Sequence, residues 1–227
     1  MYGILGYPLG HSFSKMWFTE RGYEFQNFEC QSVEDFLRVL PQSLEGFSVT
    51  IPHKEAIMPY LDAIDSVAEQ VGAVNCVKVC SDGSLKGFNT DVVGFDRTIS
   101  PSIISDIHRR AAVLGSGGAA KAVVWVLENK GIKVDVISRK TGGYTSFRAA
   151  EYDIIVNCTP LGMYPNVESA PSIDYCNIRE HTICYDLVYN PEVTKFLALC
   201  AHYGATAIGG LQMLHYQAEA ALLHYAE

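Results

Sequence analysis

AAVLGSGGAAKA, Ala111 to Ala122, lies near the midpoint of the 227-residue chain and reads as a buried strand, a glycine turn and the start of a helix. Gly115 suits a tight turn, Gly117 and Gly118 suit close approach of backbone to a phosphate, and Ala119 and Ala120 are small where a helix packs on a strand. Such a turn aims free amides at an anion, and Ser116 adds a hydroxyl beside them. The spacing is G-x-G-G-A rather than G-x-G-x-x-G, and an ordinary strand-to-helix connection would use the same residues.

Downstream, a helix from Ala119 to Asn129 stops at Lys130-Gly131, and Lys133 to Ile137 is the next strand. A fold that takes NAD places an acid here, about twenty residues beyond the glycines, for the ribose 2′-hydroxyl. This chain has Ser138, Arg139 and Lys140, a hydroxyl and two cations that suit a 2′-phosphate, so the expected cofactor is NADP(H). Asp153 to Cys158 and Thr182 to Leu187 are apolar runs that read as parallel strands covered on two faces. Pro191 is placed to open a helix from Glu192 to Tyr203, and Ala205 to Ile208 is a last strand. Alternating strands and helices from Ala111 to Ile208 predict an α/β, doubly wound parallel sheet. Only about a dozen residues follow Arg139 before the next strand, room for a short helix at most. In the final helix, from Gly210 to about Ala226, Gln217 is the odd polar member of an apolar side.

Upstream, Tyr2 to Gly6 is a strand ending in a loop dense in hydroxyls, Leu9 to Ser14. Ser14 can cap a helix from Lys15 to Arg21; alternatively Ser12 and Ser14, two apart in an extended loop, aim both hydroxyls at one ligand. Tyr23 to Cys30 reads as a strand, and Ser32 with Asp35 as a capping box. Gly46 to Lys54 reads as a short strand broken by Pro52 that delivers Lys54 to a helix start. A cation is disfavoured there by the backbone dipole, so Lys54 either reaches into solvent or has a task that outweighs the penalty. Asn75, within the strand Ala73 to Val79, is either a hydrogen-bond bracket or a ligand contact. Asp91 is a natural first-turn acid for the helix that carries Val92, Val93 and Phe95.

A hydrophobic content of 48% supports a sizeable core in one large or two small domains. A net charge of −8, with no run of Lys or Arg, argues against a nucleic-acid partner, and no apolar run approaches the length of a membrane span. Seven cysteines, without C-x-x-C pairs and mostly in apolar runs, point to the reducing cytoplasm and to no metal. The first residues carry no basic stretch and no long apolar stretch of the kind a secretory signal has.

Seven motifs in order, HSFS (His11 to Ser14), VTIPHK (Val49 to Lys54), GAVN (Gly72 to Asn75), GFNTDVVGF (Gly87 to Phe95), GSGGAAKA (Gly115 to Ala122), NCTPLGM (Asn157 to Met163) and GGLQML with Gln217, resemble the shikimate/quinate dehydrogenase family. The resemblance implies a substrate domain of residues 1–91, completed by a C-terminal helix over 210–227, and a Rossmann-like NADP-binding domain over 92–209. It implies NADPH-dependent reduction of 3-dehydroshikimate to shikimate, in the route to aromatic amino acids, with Lys54 and Asp91 as the catalytic pair. Ser12, Ser14, Thr50, Asn75, Tyr189 and Gln217 would bind substrate. Gly115, Ser116, Gly117, Gly118, Ala119, Ser138, Arg139, Lys140, Thr159, Leu187 and Gly210 would bind NADP(H). The expected assembly is a monomer or homodimer with a small-molecule substrate as partner. A quinate or dual-specificity dehydrogenase, or a non-catalytic ligand sensor of the same fold, are the alternative readings. The chain departs from the family pattern at Lys15, Phe18-Thr19 and Ser48, and is trimmed between Gly22 and Gly46 and after Lys140.

Overall fold

The computed structural model describes residues 1–9 and 13–226. The chain divides into two compact units: one takes residues up to Val93 and again from His215 onward, the other runs Gly94–Leu214. No described helix is long and apolar enough to cross a membrane.

The first unit is built on a mixed sheet of β1 (Tyr2–Gly6), β2 (Phe25–Glu29), β3 (Gly46–Val49), β4 (Ala63–Ile64), β5 (Cys76–Val79) and β6 (Leu85–Phe88), in the order β2-β1-β3-β5-β6-β4. β1 lies parallel to both β2 and β3, and the β5–β6 hairpin turns antiparallel beside β3. The hairpin turn forms as its residues demand: Asp82 accepts hydrogen bonds from the amide and hydroxyl of Ser84 (3.0 and 2.6 Å), and Gly83 supplies a φ of +85°. Helix α1 (Phe13–Glu20) turns Ser14, Trp17 and Phe18 inward at i, i+3, i+4 spacing. Of the two readings open for Ser14, that of a cap fails: the helix begins at Phe13, so Ser14 belongs to its buried face. Helix α2 (Val33–Arg38) is capped by Ser32, whose hydroxyl accepts the Asp35 amide at 3.1 Å. Helix α3 (Ser66–Val71) ends at Gly72, in the left-handed region at φ +68°.

The helix expected to start at Lys54 is a single turn. Ile57 donates its amide to the His53 carbonyl (2.9 Å), but Pro59 has no amide for the carbonyl of Glu55, so the chain passes instead into a 3-10 turn at Met58–Tyr60. The argument from the helix dipole therefore does not apply to Lys54.

The last helix, α7 (Leu211–Ala226), returns to the first sheet through Tyr225, which stacks on Tyr2 with ring centroids 4.9 Å apart and lies against Gly46. A Cβ at Gly46 would stand 2.2 Å from the Tyr225 ring, so glycine here makes room for the aromatic that anchors α7.

The second unit holds a five-stranded, all-parallel sheet of β7 (Arg110–Leu114), β8 (Lys133–Ile137), β9 (Ile154–Asn157), β10 (Ile183–Asp186) and β11 (Thr206–Gly209), ordered β11-β10-β9-β7-β8. The order reverses at β7, the doubly wound arrangement expected. Helix α4 (Asp91–Ile99) leads in from the first unit, α5 (Gly118–Asn129) joins β7 to β8, and α6 (Lys195–His202) joins β10 to β11. Between β8 and β9 there are only 3-10 turns at Arg139–Thr141 and Ala149–Glu151, and the sheet is covered there by Phe147, Ala149 and Tyr152, the two rings stacked at 5.2 Å. Pro191 does not open α6 as expected. The helix starts at Lys195 because Thr194 caps it, accepting the Leu197 amide at 3.2 Å while its hydroxyl donates to Asp186 at 2.5 Å.

Substituting Gly46→Ala will drive a methyl into the Tyr225 ring and lower the unfolding free energy by about 1–3 kcal/mol. Chemical denaturation monitored by tyrosine fluorescence measures this; an unchanged midpoint would show that α7 shifts freely.

Candidate active site

In the first unit the chain leaving β3 bends at Thr50, whose carbonyl accepts the His53 amide (2.9 Å). His53 is buried and its Nε2 lies 2.8 Å from the carbonyl oxygen of Cys30; a carbonyl only accepts, so Nε2 carries the proton. Val74 donates its amide to the Lys54 carbonyl at 2.8 Å. With its backbone clamped on both sides, Lys54 extends its ammonium to Oδ2 of Asp91 in an ion pair whose side chains are only 13% and 8% exposed.

Asp91 opens α4, where first-turn amides favour negative charge. Its Oδ1 accepts from Asn75 Nδ2 (2.9 Å), which also donates to Thr90 Oγ1 (3.0 Å), while Asn75 Oδ1 accepts the Thr90 amide (2.6 Å). Gln217 of α7 brings Oε1 to 3.5 Å from both Asn75 Nδ2 and Thr90 Oγ1. Lys54, Asn75, Asp91 and Gln217, far apart in sequence, thus form one cluster with Thr90, which the sequence reading missed although it stands inside the GFNTD motif. Asn89, also missed, ties the same loop to the Ala73 carbonyl (2.8 Å). Thr50 is half-buried at the end of β3 and Ser14 is buried on α1; Ser12 lies outside the described residues. Ser48, a departure from the family pattern, is buried with its hydroxyl 3.4 Å from that of Tyr225.

In the second unit every expected cofactor residue follows the carboxyl end of a strand, and because the strands are parallel these ends share one edge of the sheet. After β7, Gly115 has φ +116°, and a Cβ there would lie 3.0 Å from the Cys158 carbonyl, so the turn requires glycine. Gly117 is different. Its φ of −82° suits any residue and a Cβ would meet nothing within 4 Å, so the protein's own packing does not call for glycine. Ser116 and Gly117 are exposed, and α5 begins with Gly118 and Ala119 with no side chain capping its amides. Open space in front of uncapped helix amides fits a phosphate.

After β8, Ser138 and Thr141 brace a 3-10 turn, the Ser138 amide donating to Thr141 Oγ1 at 2.8 Å, and Arg139 and Lys140 are exposed on it. After β9, Thr159 donates its amide and hydroxyl to Asn157 Oδ1 (3.0 and 2.6 Å). After β10, Leu187 donates its amide to the Asn157 carbonyl (3.0 Å), and a Cβ on Gly210 would stand 2.5 Å from the Leu187 carbonyl oxygen. Tyr189 belongs to this unit, and burial raises its phenol above the ordinary range.

Asp186, Asn157 and Thr194 were not expected here; the signal was a polar residue closing each of two apolar strands. Asp186 is fully buried, and desolvation lifts its carboxyl to about 6 although Thr194, Val188 and Asn157 all donate to it.

A doubly wound sheet with a glycine turn, in a chain that also buries a lysine beside an aspartate, defines an α/β, dinucleotide-dependent oxidoreductase. The profile of the shikimate dehydrogenase substrate binding domain matches residues 4–77. An NADP(+) shikimate dehydrogenase of Bacillus cereus (strain B4264) is 36% identical, the match covering 96% of this chain and 89% of that one. Among solved structures, shikimate 5-dehydrogenase of Thermus thermophilus in complex with NADP(H) and shikimate superposes with a TM-score of 0.86 at 29% identity, covering 99% of this chain and 92% of that one. A chorismate mutase/shikimate 5-dehydrogenase fusion from Clostridium acetobutylicum gives a TM-score of 0.81 at 33% identity, covering 99% and 90%. The chain belongs to the shikimate dehydrogenase family.

Gly117→Ser supplies a good N-cap and will leave stability within about 0.5 kcal/mol of wild type, yet it fills the space before the helix amides. NADP+ affinity, measured by calorimetric titration, should fall about tenfold; unchanged affinity would remove this turn from the cofactor site.

The raised Asp186 carboxyl also fixes a pH dependence. The folded chain holds this proton more tightly than the unfolded one, the carboxyl rising from an ordinary 3.8 to about 6, so its contribution to stability declines as pH rises between those values. Relative to Asp186→Asn, wild type should lose up to about 3 kcal/mol between pH 4 and pH 7 in denaturant titrations. Parallel curves for the two proteins would contradict a protonated Asp186.

Proposed function

We propose that the protein reduces 3-dehydroshikimate to shikimate with NADPH, Lys54 serving as proton donor and Asp91 as its partner. The observation that carries this reading is the Lys54–Asp91 pair, largely withdrawn from water and joined to the amides of Asn75 and Gln217. The NADP(+)-dependent relative and the neighbour crystallised with NADP(H) and shikimate support the same substrate and cofactor.

NADPH supplies the hydride. Hydride arrival at a ketone carbon builds negative charge on the oxygen, and an ammonium beside that oxygen stabilises the charge and delivers the proton. Asp91 holds the ammonium in one place with Oδ2, and Asn75 holds Asp91 through Oδ1, so the proton donor is oriented before substrate arrives. The amides of Asn75 and Gln217 and the hydroxyl of Thr50 match ring hydroxyls; Ser12 and Ser14 match the substrate carboxylate, and Tyr189 the ring. Residues 1–91 with 210–227 serve as the substrate domain and 92–209 as the cofactor domain. There, Gly115 to Ala119 take the pyrophosphate, Ser138, Arg139 and Lys140 the 2′-phosphate, and Thr159, Leu187 and Gly210 line the remainder. The seven free cysteines fit a reducing cytoplasm, and the protein works as a monomer or homodimer.

The decisive assay follows NADPH absorbance with 3-dehydroshikimate for wild type and Lys54→Ala. Wild type should turn over, and Lys54→Ala should lose about a hundredfold or more in kcat while shikimate affinity changes little. No wild-type oxidation of NADPH or NADH would refute the reaction; equal loss of affinity and rate would make Lys54 an anchor.

A further inference from the structure

We infer that Asp186 is a positioning residue for the cofactor cradle: its carboxylate ties the loops after β9 and β10 into the arrangement that receives NADP(H). The inference rests on NADP(H) occupying the second unit.

Asp186 and Asn157 are direct partners in the parallel register of β10 and β9, each the last residue of its strand. Asp186 Oδ1 accepts from Asn157 Nδ2 (2.9 Å) and from the Val188 amide (3.0 Å), and Oδ2 accepts from Thr194 Oγ1 (2.5 Å). Asn157 passes the constraint on. Its Oδ1 takes both donors of Thr159, its Nδ2 also reaches the Leu161 carbonyl (3.3 Å), and its backbone carbonyl takes the Leu187 amide. The backbone of the same hub meets the other two segments. A Cβ on Gly210 would stand 2.9 Å from the Asp186 carbonyl oxygen, and the Gly115 turn packs on the carbonyl of Cys158.

Three donors converge on this carboxylate and none of them is a cation. A buried carboxylate with neutral partners is costly, so it is tolerated only where its hydrogen bonds are all made. What the carboxylate adds is acceptor capacity: two oxygens take all three donors at once, which leaves the loops a single arrangement. Of the residues proposed to meet the cofactor, Thr159 hangs from the side chains of this junction, while Leu187 and Gly210 meet its backbone and Gly115 the backbone of the next residue, Cys158.

Asparagine keeps most of this geometry. Its oxygen can accept from Val188 and Asn157, and its NH2 can donate to Thr194. Alanine keeps none of it.

Calorimetric titration of the full chain with NADP+ and, separately, with shikimate tests the inference, alongside kcat and KM. Expected are an NADP+ Kd at least tenfold weaker for Asp186→Ala, a shikimate Kd within twofold of wild type, a kcat at saturating NADPH within threefold, and near-complete rescue of NADP+ affinity in Asp186→Asn. Wild-type NADP+ affinity in Asp186→Ala, equal weakening of both ligands, or failure of Asp186→Asn to rescue would each overturn it. Should Asp186→Ala lack a folded near-UV circular dichroism spectrum, Thr194→Val decides, since it removes one donor away from the cofactor residues. About fivefold weaker NADP+ binding that Thr194→Ser restores supports the inference, and unchanged binding overturns it. Wild type that bound no NADP+ would refute the functional reading beneath it.

Discussion

An ammonium and a carboxylate kept out of water must each be fully partnered, and the first unit is arranged to meet that constraint. Desolvation costs several kcal/mol per ion, so attraction between the two suffices only when further hydrogen bonds serve the remaining lone pairs. Asp91 has Lys54 on one oxygen and Asn75 on the other, and it sits where helix amides favour its charge. Asn75 is itself fixed by the sheet, donating its amide to the Phe88 carbonyl (3.1 Å) and accepting that of Val49 (2.8 Å). It therefore acts as a hydrogen-bond bracket, and the same bracket holds Asp91 of the ion pair. A bare lysine and aspartate at this spacing would be expensive; Asn75, held in turn by Thr90, supplies the further partner that Asp91 needs.

The second unit handles its buried carboxylate differently. Among the described residues Asp186 meets only neutral donors, so burial dominates and its carboxyl rises to about 6. That cost is concentrated where two strand ends must stay in fixed relation, at the sheet edge that parallel topology reserves for ligands. The glycines around it divide by purpose. Gly115 and Gly210 are demanded by neighbouring backbone, whereas Gly117 has open space beside it among the described residues.

The shortened crossover between β8 and β9 shows how a parallel sheet is covered without a helix. Phe147 and Tyr152 stack over it, and Arg110 lies across Tyr152 (4.8 Å) while pairing with Asp135 (2.8 Å) and Glu151 (3.0 Å). Aromatic area replaces helical area, and the basic turn at Arg139 and Lys140 stays exposed at the strand end.

Residue order alone was enough for the strand and helix alternation, the glycine turn, the cap at Ser32 and the basic residues after β8, because each follows from contacts a few residues apart. Lys54, Asp91, Asn75 and Gln217 could be named from motif resemblance, but that they meet in one cluster was not contained in any local pattern. Folding also settled that Lys54 stands on a single turn, that Ser14 faces inward, and that α6 waits for Thr194 rather than beginning at Pro191. The junction of Asp186, Asn157 and Thr194 was invisible beforehand for the same reason. Local backbone preference reads only neighbours in the chain, whereas a buried charge is satisfied by whatever strand register and chain return bring beside it.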